Sequence, residues 1–358
     1  MPFDSFIGNS KALAGVREMV RAGRVPGSLL FSGPEGVGKK TLARMLAKAL
    51  VCERKGSDFC DACARCRKAE EMFTTAEQDL ARRREIKESV RRVEGLVYFD
   101  FQTIAPLTRF ILTEQVRQLR NVAYTRPFEF PRRIFIIDDA QTIHWQAADL
   151  LLKVLEEPPD TTSIILVCSN PYELRPTIRS RCLQMLFQPV AETAISELLT
   201  QQGRLNKTQA ALAARVAAGS VAKASRFDPA GYEQRRKPWL DFLAAVSRRA
   251  PASAAGADLR PLFDSAKALA ENRDDFEETL AIGYSLLRDL LHVLLKGPET
   301  EVTNIDVLPR LQTWAAGLRL EGIEQLKSGL DQAYRLQIRN VNQQLGFETL
   351  GLETAQRA

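Results

Sequence analysis

The chain has 358 residues, 45% of them hydrophobic and 26% charged, with 20 glycines, 17 prolines and six cysteines. That length suits two or three domains with substantial cores. The composition excludes a disulfide scaffold, a low-complexity chain and a collagen-like repeat. Fifty basic and 44 acidic residues leave a net charge of +6, mild enough to be compatible with a nucleic-acid partner without pointing to one.

MPFDSFIGNS at the N-terminus has no basic stretch followed by an apolar one, so no signal peptide is read. No apolar run approaches the ~18 residues of a membrane span. A cytoplasmic protein with no membrane partner is expected. Leu29–Ser32 is a short apolar run ending in glycines and predicts a buried strand; Lys39–Cys52 has helical spacing. Between them lies Gly33-Pro34-Glu35-Gly36-Val37-Gly38-Lys39, seven of the eight positions of G-x-x-x-x-G-K-[ST]. Such a loop turns backbone N–H groups around phosphate oxygens and sends its lysine to the terminal phosphates. The alternative is a chance glycine-rich turn. The eighth position, normally a hydroxyl ligand of Mg²⁺, is Lys40, which cannot ligate a metal. Thr41 comes one residue late, about 100° around the helix. The loop can hold ATP or ADP but is poorly built for metal-assisted hydrolysis.

Cys52, Cys60, Cys63 and Cys66 follow with spacing C-x7-C-x2-C-x2-C. Four thiols this close predict a structural Zn²⁺ site with no open coordination position; the alternative is four ordinary thiols. Residues 67–97 are charged, with apolar spacings of three and four that predict one or two long helices. This segment reads as a solvated helical hairpin, or alternatively as a contact to DNA or another subunit.

Ile111–Tyr124 reads as a helix. Arg133–Ile137 reads as a second buried strand, closed by Asp138 and Asp139. The two acids suit a Walker B element, the first supporting Mg²⁺ and the second polarising water; capping of the next helix is the alternative. Gln146–Glu157 is helical and stopped by Pro158-Pro159. Ser163–Cys168 is a third apolar strand, and Leu183–Phe187 a candidate fourth. Strands apolar on both faces and separated by helices imply a parallel sheet covered on two sides. Beyond Pro189 only helical spacing is seen, with Pro229-Ala230-Gly231 read as a linker and breaks at Pro251-Ala252-Ser253 and Lys296-Gly297-Pro298. The expected layout is an α/β domain over 1–190, carrying the cysteine module at 52–66 and the insert at 67–97. A small helical domain over 191–228 and a larger one over 229–358 follow.

The order of these motifs, together with Leu150-Leu151-Leu152-Lys153-Val154-Leu155-Glu156-Glu157-Pro158-Pro159 and Ser180-Arg181-Cys182, resembles the bacterial clamp-loader subunits, AAA+ proteins of the DNA polymerase III holoenzyme. The resemblance covers nearly the whole chain. Phe6-Ile7-Gly8-Asn9 looks like the family's segment near the adenine site, and Asn340–Leu345 like part of its C-terminal collar. The resemblance implies an AAA+ P-loop domain, a helical lid and an all-helical collar. It implies a hetero-oligomeric ring with gamma/tau and delta subunits, acting on a sliding clamp and, through the complex, on primed DNA. It makes Arg181 an arginine finger reaching a neighbour's ATP site in trans, the alternative being a surface arginine. It places Ser169 at the sensor-1 hydroxyl and Ala222 where motor subunits have the sensor-2 arginine. Lys40, Asp139 and Ala222 all depart from the motor pattern, and resemble instead the delta-prime kind of subunit, whose nucleotide sites are typically damaged. The charged insert at 67–97 also departs from the family, which usually has a short link and a His-Pro-Asp-like turn there.

Overall fold

In the computed structural model, residues 2–54, 56–247, 258–271, 276–298, 301–336 and 342–357 are described. In chain order the main elements are α1 (Ser10–Ala22), β1 (Ser28–Ser32), α2 (Lys39–Val51), α3 (Ala64–Glu85), α4 (Ser89–Val93), β2 (Phe101–Ile104), α5 (Thr113–Ala123) and β3 (Arg133–Ile137). Next come α6 (Trp145–Glu156), β4 (Thr162–Cys168), α7 (Pro176–Arg179), β5 (Leu183–Leu186), α8 (Glu192–Gln201), α9 (Lys207–Val216) and α10 (Val221–Ser225). The remainder is helical: α11 (Pro229–Ser247), α12 (Arg260–Glu271), α13 (Phe276–Leu294), α14 (Leu308–Gly317), α15 (Leu320–Leu336) and α16 (Gln343–Arg357).

The chain divides into two compact units, one of residues 1–198 and 218–223, the other of 199–217 and 224–358. The first is built on a five-stranded sheet in the order β2-β3-β4-β1-β5, parallel at every pairing. β1, β3 and β4 are buried along their whole length, which is why their sequences show no alternation. The expected α/β sheet covered on both sides is therefore present, and Leu183–Leu186 is one of its two edge strands.

Three readings change. β2 was not legible in the sequence: Phe101–Ile104 is four residues long and buried throughout, too short to display a period. The insert is not a solvated hairpin. Its one long helix, α3, begins inside the cysteine cluster and buries Ala69, Phe73, Ala76 and Leu80, with the Phe73 ring edge-on to Phe101 of β2 at 5.4 Å. The helical stripe read through Ile86, Val90, Val93 and Val97 does not persist: only Ser89–Val93 is helical, and Val90 and Val97 are exposed. Finally, Pro229-Ala230-Gly231 is the first turn of α11 and not a linker. Proline fits there because the first turn of a helix has no use for its missing N–H, and Asp228 accepts from the amides of Ala230 and Gly231.

The second unit packs α11–α16 around Trp239, Phe242, Phe276 and Phe347. Trp239 donates to the carbonyl of Thr279 at 2.7 Å and lies flat against Gly283, where any Cβ would come within 2.6 Å of the indole. The break read at Pro251–Ser253, and Asn340 and Val341 of the collar-like segment, lie outside the described residues.

Candidate functional site

The phosphate loop joins the end of β1 to α2, as its chemistry requires. Gly33, Gly36 and Gly38 have φ of 143°, 74° and 97°, conformations that only glycine adopts without strain. At Gly33 a Cβ would also lie 2.2 Å from the Phe187 carbonyl oxygen. The loop opens onto a cavity of about 340 Å³ lined by Lys39, Lys40, Thr41, Asp138, Asp139, Ser169 and Ala222, among others. The nucleotide-site residues read from the sequence thus converge, although they come from four separate segments. Ala222 meets the loop through its own amide, which donates to the Gly36 carbonyl at 3.1 Å. Phe6 packs against Gly38, and Asn9 exchanges two hydrogen bonds with the backbone of Gln188, at 2.7 and 3.1 Å. The N-terminal segment therefore borders the loop.

The charges in this cavity are largely spent within the protein. Lys39 donates to the carbonyls of Gly33 and Pro34, and burial pushes its ammonium below the usual lysine value. Lys40 lies 2.8 Å from Glu77 Oε1 and 3.3 Å from Asp138 Oδ2. Its ammonium is thus fixed on the carboxylate that would support Mg²⁺. A doubly charged ion within about 4 Å of it would be opposed by on the order of 8 kcal/mol at an effective dielectric of about 20. The residues present do not fit a magnesium ion. Burial, followed by the neighbouring Asp138 charge, raises the Asp139 carboxyl above the ordinary value. Asp139 also has φ 51°, and its backbone carbonyl accepts from Thr142 at 2.8 Å. Asp139 holds the N-cap position of the short turn Ala140–Thr142, but its carboxylate makes no capping hydrogen bond there, so the capping alternative is not seen. The Ser169 amide donates to Gln141 Oε1 at 3.4 Å, and Thr41 is exposed at the rim.

The four cysteines come together. Cys52, Cys60, Cys63 and Cys66 place their sulfurs within 4.8 Å of one another, and Cys52 and Cys60 are 3.6 Å apart. Zinc–thiolate bonds of about 2.3 Å put tetrahedral sulfurs about 3.8 Å apart, so the donor set fits a zinc ion. Backbone amides prepare the sulfurs: Cys60, Cys63 and Cys66 donate to the sulfurs of Cys52, Cys60 and Cys63 at 3.3–3.4 Å. Amides of Ala62 and Cys63 lower the Cys60 thiol to about 6, while burial raises Cys52 and Cys66. A bound cation would offset that burial penalty.

Arg181 follows α7 and is exposed. It donates to the carbonyl of Thr177 at 2.9 Å and pairs with Glu156 at 2.7 Å. Cys168 and Cys182 are packing residues whose thiols burial raises to about 11 and 12. What the sequence did not disclose is Glu77. Nothing in a charged helical stretch marks one glutamate as the partner of a lysine 37 positions earlier.

Comparison with known proteins follows this geometry. The family model described as DNA polymerase III, delta subunit, matches residues 8–191, more than half of the chain. The chain is 29% identical over 179 residues to the DNA polymerase III delta' subunit of Bacillus subtilis (strain 168), covering 50% of this chain and 47% of that one. It is 31% identical over 185 residues to the tau subunit of Escherichia coli (strain K12), covering 51% of this chain and 25% of that one. The matches span less than half the length of these two relatives. Among solved structures, a gamma subunit-related protein of Thermotoga maritima aligns over 98% of this chain and 99% of its own with a TM-score of 0.44 and 14% identity. No helix among the described residues is long and apolar enough to cross a membrane.

Proposed function

The chain belongs to the DNA polymerase III delta-subunit family of AAA+ clamp-loader proteins, and on that premise we propose that it is the delta-prime subunit, a stator that does not turn over ATP itself. The observation that carries this reading is Lys40, held between Glu77 and Asp138 where a motor subunit needs a metal ion. In-line phosphoryl transfer relies on that ion to neutralise charge on the β- and γ-phosphates. A lysine already paired with two carboxylates has little charge left for the role. Asp139, one methylene shorter than glutamate and raised by burial, is a weakened water-polarising group. Ala222 supplies no charge to a γ-phosphate.

In this reading the subunit sits in a ring with gamma/tau and delta subunits in the cytoplasm. It offers Arg181 to a neighbour's ATP site and assists loading of the sliding clamp on primed DNA. The cysteine module holds structural zinc, and nucleotide, if held, is not hydrolysed.

The test is ATP turnover by the purified chain, followed by reconstitution with the other loader subunits. Negligible turnover alone, with clamp loading restored in the ring, is the expected result. Turnover of about 1 s⁻¹ or more, the lower end of ordinary enzymes, abolished by Lys39→Ala, would instead make the chain an active gamma/tau-like ATPase subunit.

A further inference from the structure

The cysteine module and the phosphate loop are joined by an unbroken file of ion pairs. It begins at Asp61, inside the cysteine loop, which pairs with Lys48 at 2.7 Å. Lys48 pairs with Glu70 at 2.6 Å, Glu70 with Arg44, and Arg44 with Glu77 at 3.1 Å. Glu77 then pairs with Lys40 at 2.8 Å, and Lys40 with Asp138 at 3.3 Å. The cations recur every four residues on α2, and two of the anions stand seven apart on α3, so each row occupies one face of its helix. Arg44 also lies over the Phe73 ring at 5.2 Å, and Lys48 over Phe59 at 5.6 Å.

These pairs are not ordinary surface ion pairs, which contribute little. The side chains of Lys48 and Arg44 are only 11% and 19% exposed. Burial would lower the Lys48 ammonium, and its pairs with Asp61 and Glu70 outweigh that and raise it. A partly buried cation that loses one anion must find another or move. Each carboxylate inside the file serves two cations, so a loss at one end changes what the next cation can claim.

We propose that this file makes Lys40 a positioning residue under control of the metal module: with the cysteine loop held by metal, Asp61 anchors the file and keeps Lys40 on Asp138. The inference rests on reading Gly33–Lys39 as a phosphate loop whose metal position is filled by Lys40. It adds that the filling depends on a loop at the other end of α2. The competing view is that each pair only staples α3 to α2 locally. Groups farther apart than about 7–10 Å with no shared partner behave independently.

Amine acetylation of the full chain, read at Lys40 by mass spectrometry, separates the two, with exposed Lys11 as an internal reference. Asp61→Asn is the main variant. Asp61 has φ 55°, a conformation asparagine tolerates, and zinc content confirms that the module stays loaded. Asp61→Asn should raise the Lys40 rate at least about threefold, and zinc removal should do the same; Lys48→Met, which leaves Glu70 to Arg44 alone and so frees Glu77 for Lys40, should not raise it. Glu77→Gln, next to Lys40, should raise it at least as much and shows that the assay responds. An unchanged Lys40 rate in zinc-loaded Asp61→Asn overturns the proposal, as does an unchanged rate in Glu77→Gln. ATP turnover is not read here, so failure of the stator reading is scored separately.

Discussion

Arg181 and Glu156 are paired at 2.7 Å, joining the end of the Leu150–Pro159 motif to the Ser180–Cys182 motif. Two stretches that are distinctive in the sequence for separate reasons are thus one structural feature. The guanidinium also donates to Thr177, so its starting position is set by its own subunit. Both members of the pair are well exposed, which keeps the contact weak and the arginine exchangeable.

Arg181→Ala is therefore expected to change unfolding free energy by less than about 1 kcal/mol and to leave ring assembly intact. If Arg181 completes a neighbour's site, clamp-stimulated ATP hydrolysis by the ring should fall in part, because other sites take their arginines from other subunits. Arg181→Lys should not restore it, since lysine offers a point charge in place of a planar fork. Hydrolysis at the wild-type rate in the alanine ring would reduce Arg181 to a surface residue.

The cysteine module is expected to hold one zinc ion per chain after anaerobic purification, measured by elemental analysis. Cys63→Ser should lose the metal and loosen the start of α3, because Cys63 caps that helix by accepting from the Cys66 amide. The central strands should stay protected in hydrogen exchange, since the site closes a local loop. Zinc-free wild-type protein would contradict the assignment.

Asp100→Asn should be among the most damaging single changes. Asp100 and Arg133 are both fully buried and pair at 3.2 Å. Asp100 also accepts from the amides of Phe128, Glu129 and Phe130. Removing its charge strands a buried guanidinium, with an expected cost of about 3–5 kcal/mol. Denaturant unfolding measures it, and a loss below about 1 kcal/mol would show that the surrounding carbonyls suffice for Arg133.

The junction of α2 and α3 should weaken in acid. Burial raises the Glu77 carboxyl, but its pairs with Lys40 and Arg44 outweigh this and hold it below the usual 4.5. A carboxyl lowered on folding adds stability above its unfolded value and loses it as pH falls through the folded value. Protection of α3 amides in hydrogen exchange should therefore decline below pH 4.5 in the wild type, and decline less steeply in Glu77→Gln. Equal acid sensitivity in the two proteins would mean that other carboxylates govern the junction.

The sequence by itself determined the sheet strands β1, β3 and β4, because each is a run of apolar residues with no solvent-facing side to hide it. It also determined the phosphate loop and the cysteine module, whose chemistry depends on residue type at short spacing. The departure at Lys40 was legible too, since a lysine cannot do the work of a hydroxyl ligand. Tertiary structure alone decided what Lys40 does instead. Its partners Glu77 and Asp138 are 37 and 98 positions away, and neither belongs to a local period. The same reason hid β2, whose four residues become a strand only by pairing with β3, and concealed the packing role of α3. Its charged residues read as a solvated face, yet Glu70 and Glu77 point to cations of α2 while Phe73 enters the core. Local chemistry is written in neighbouring residues; the pairing of charges between helices is settled only when the chain packs them side by side.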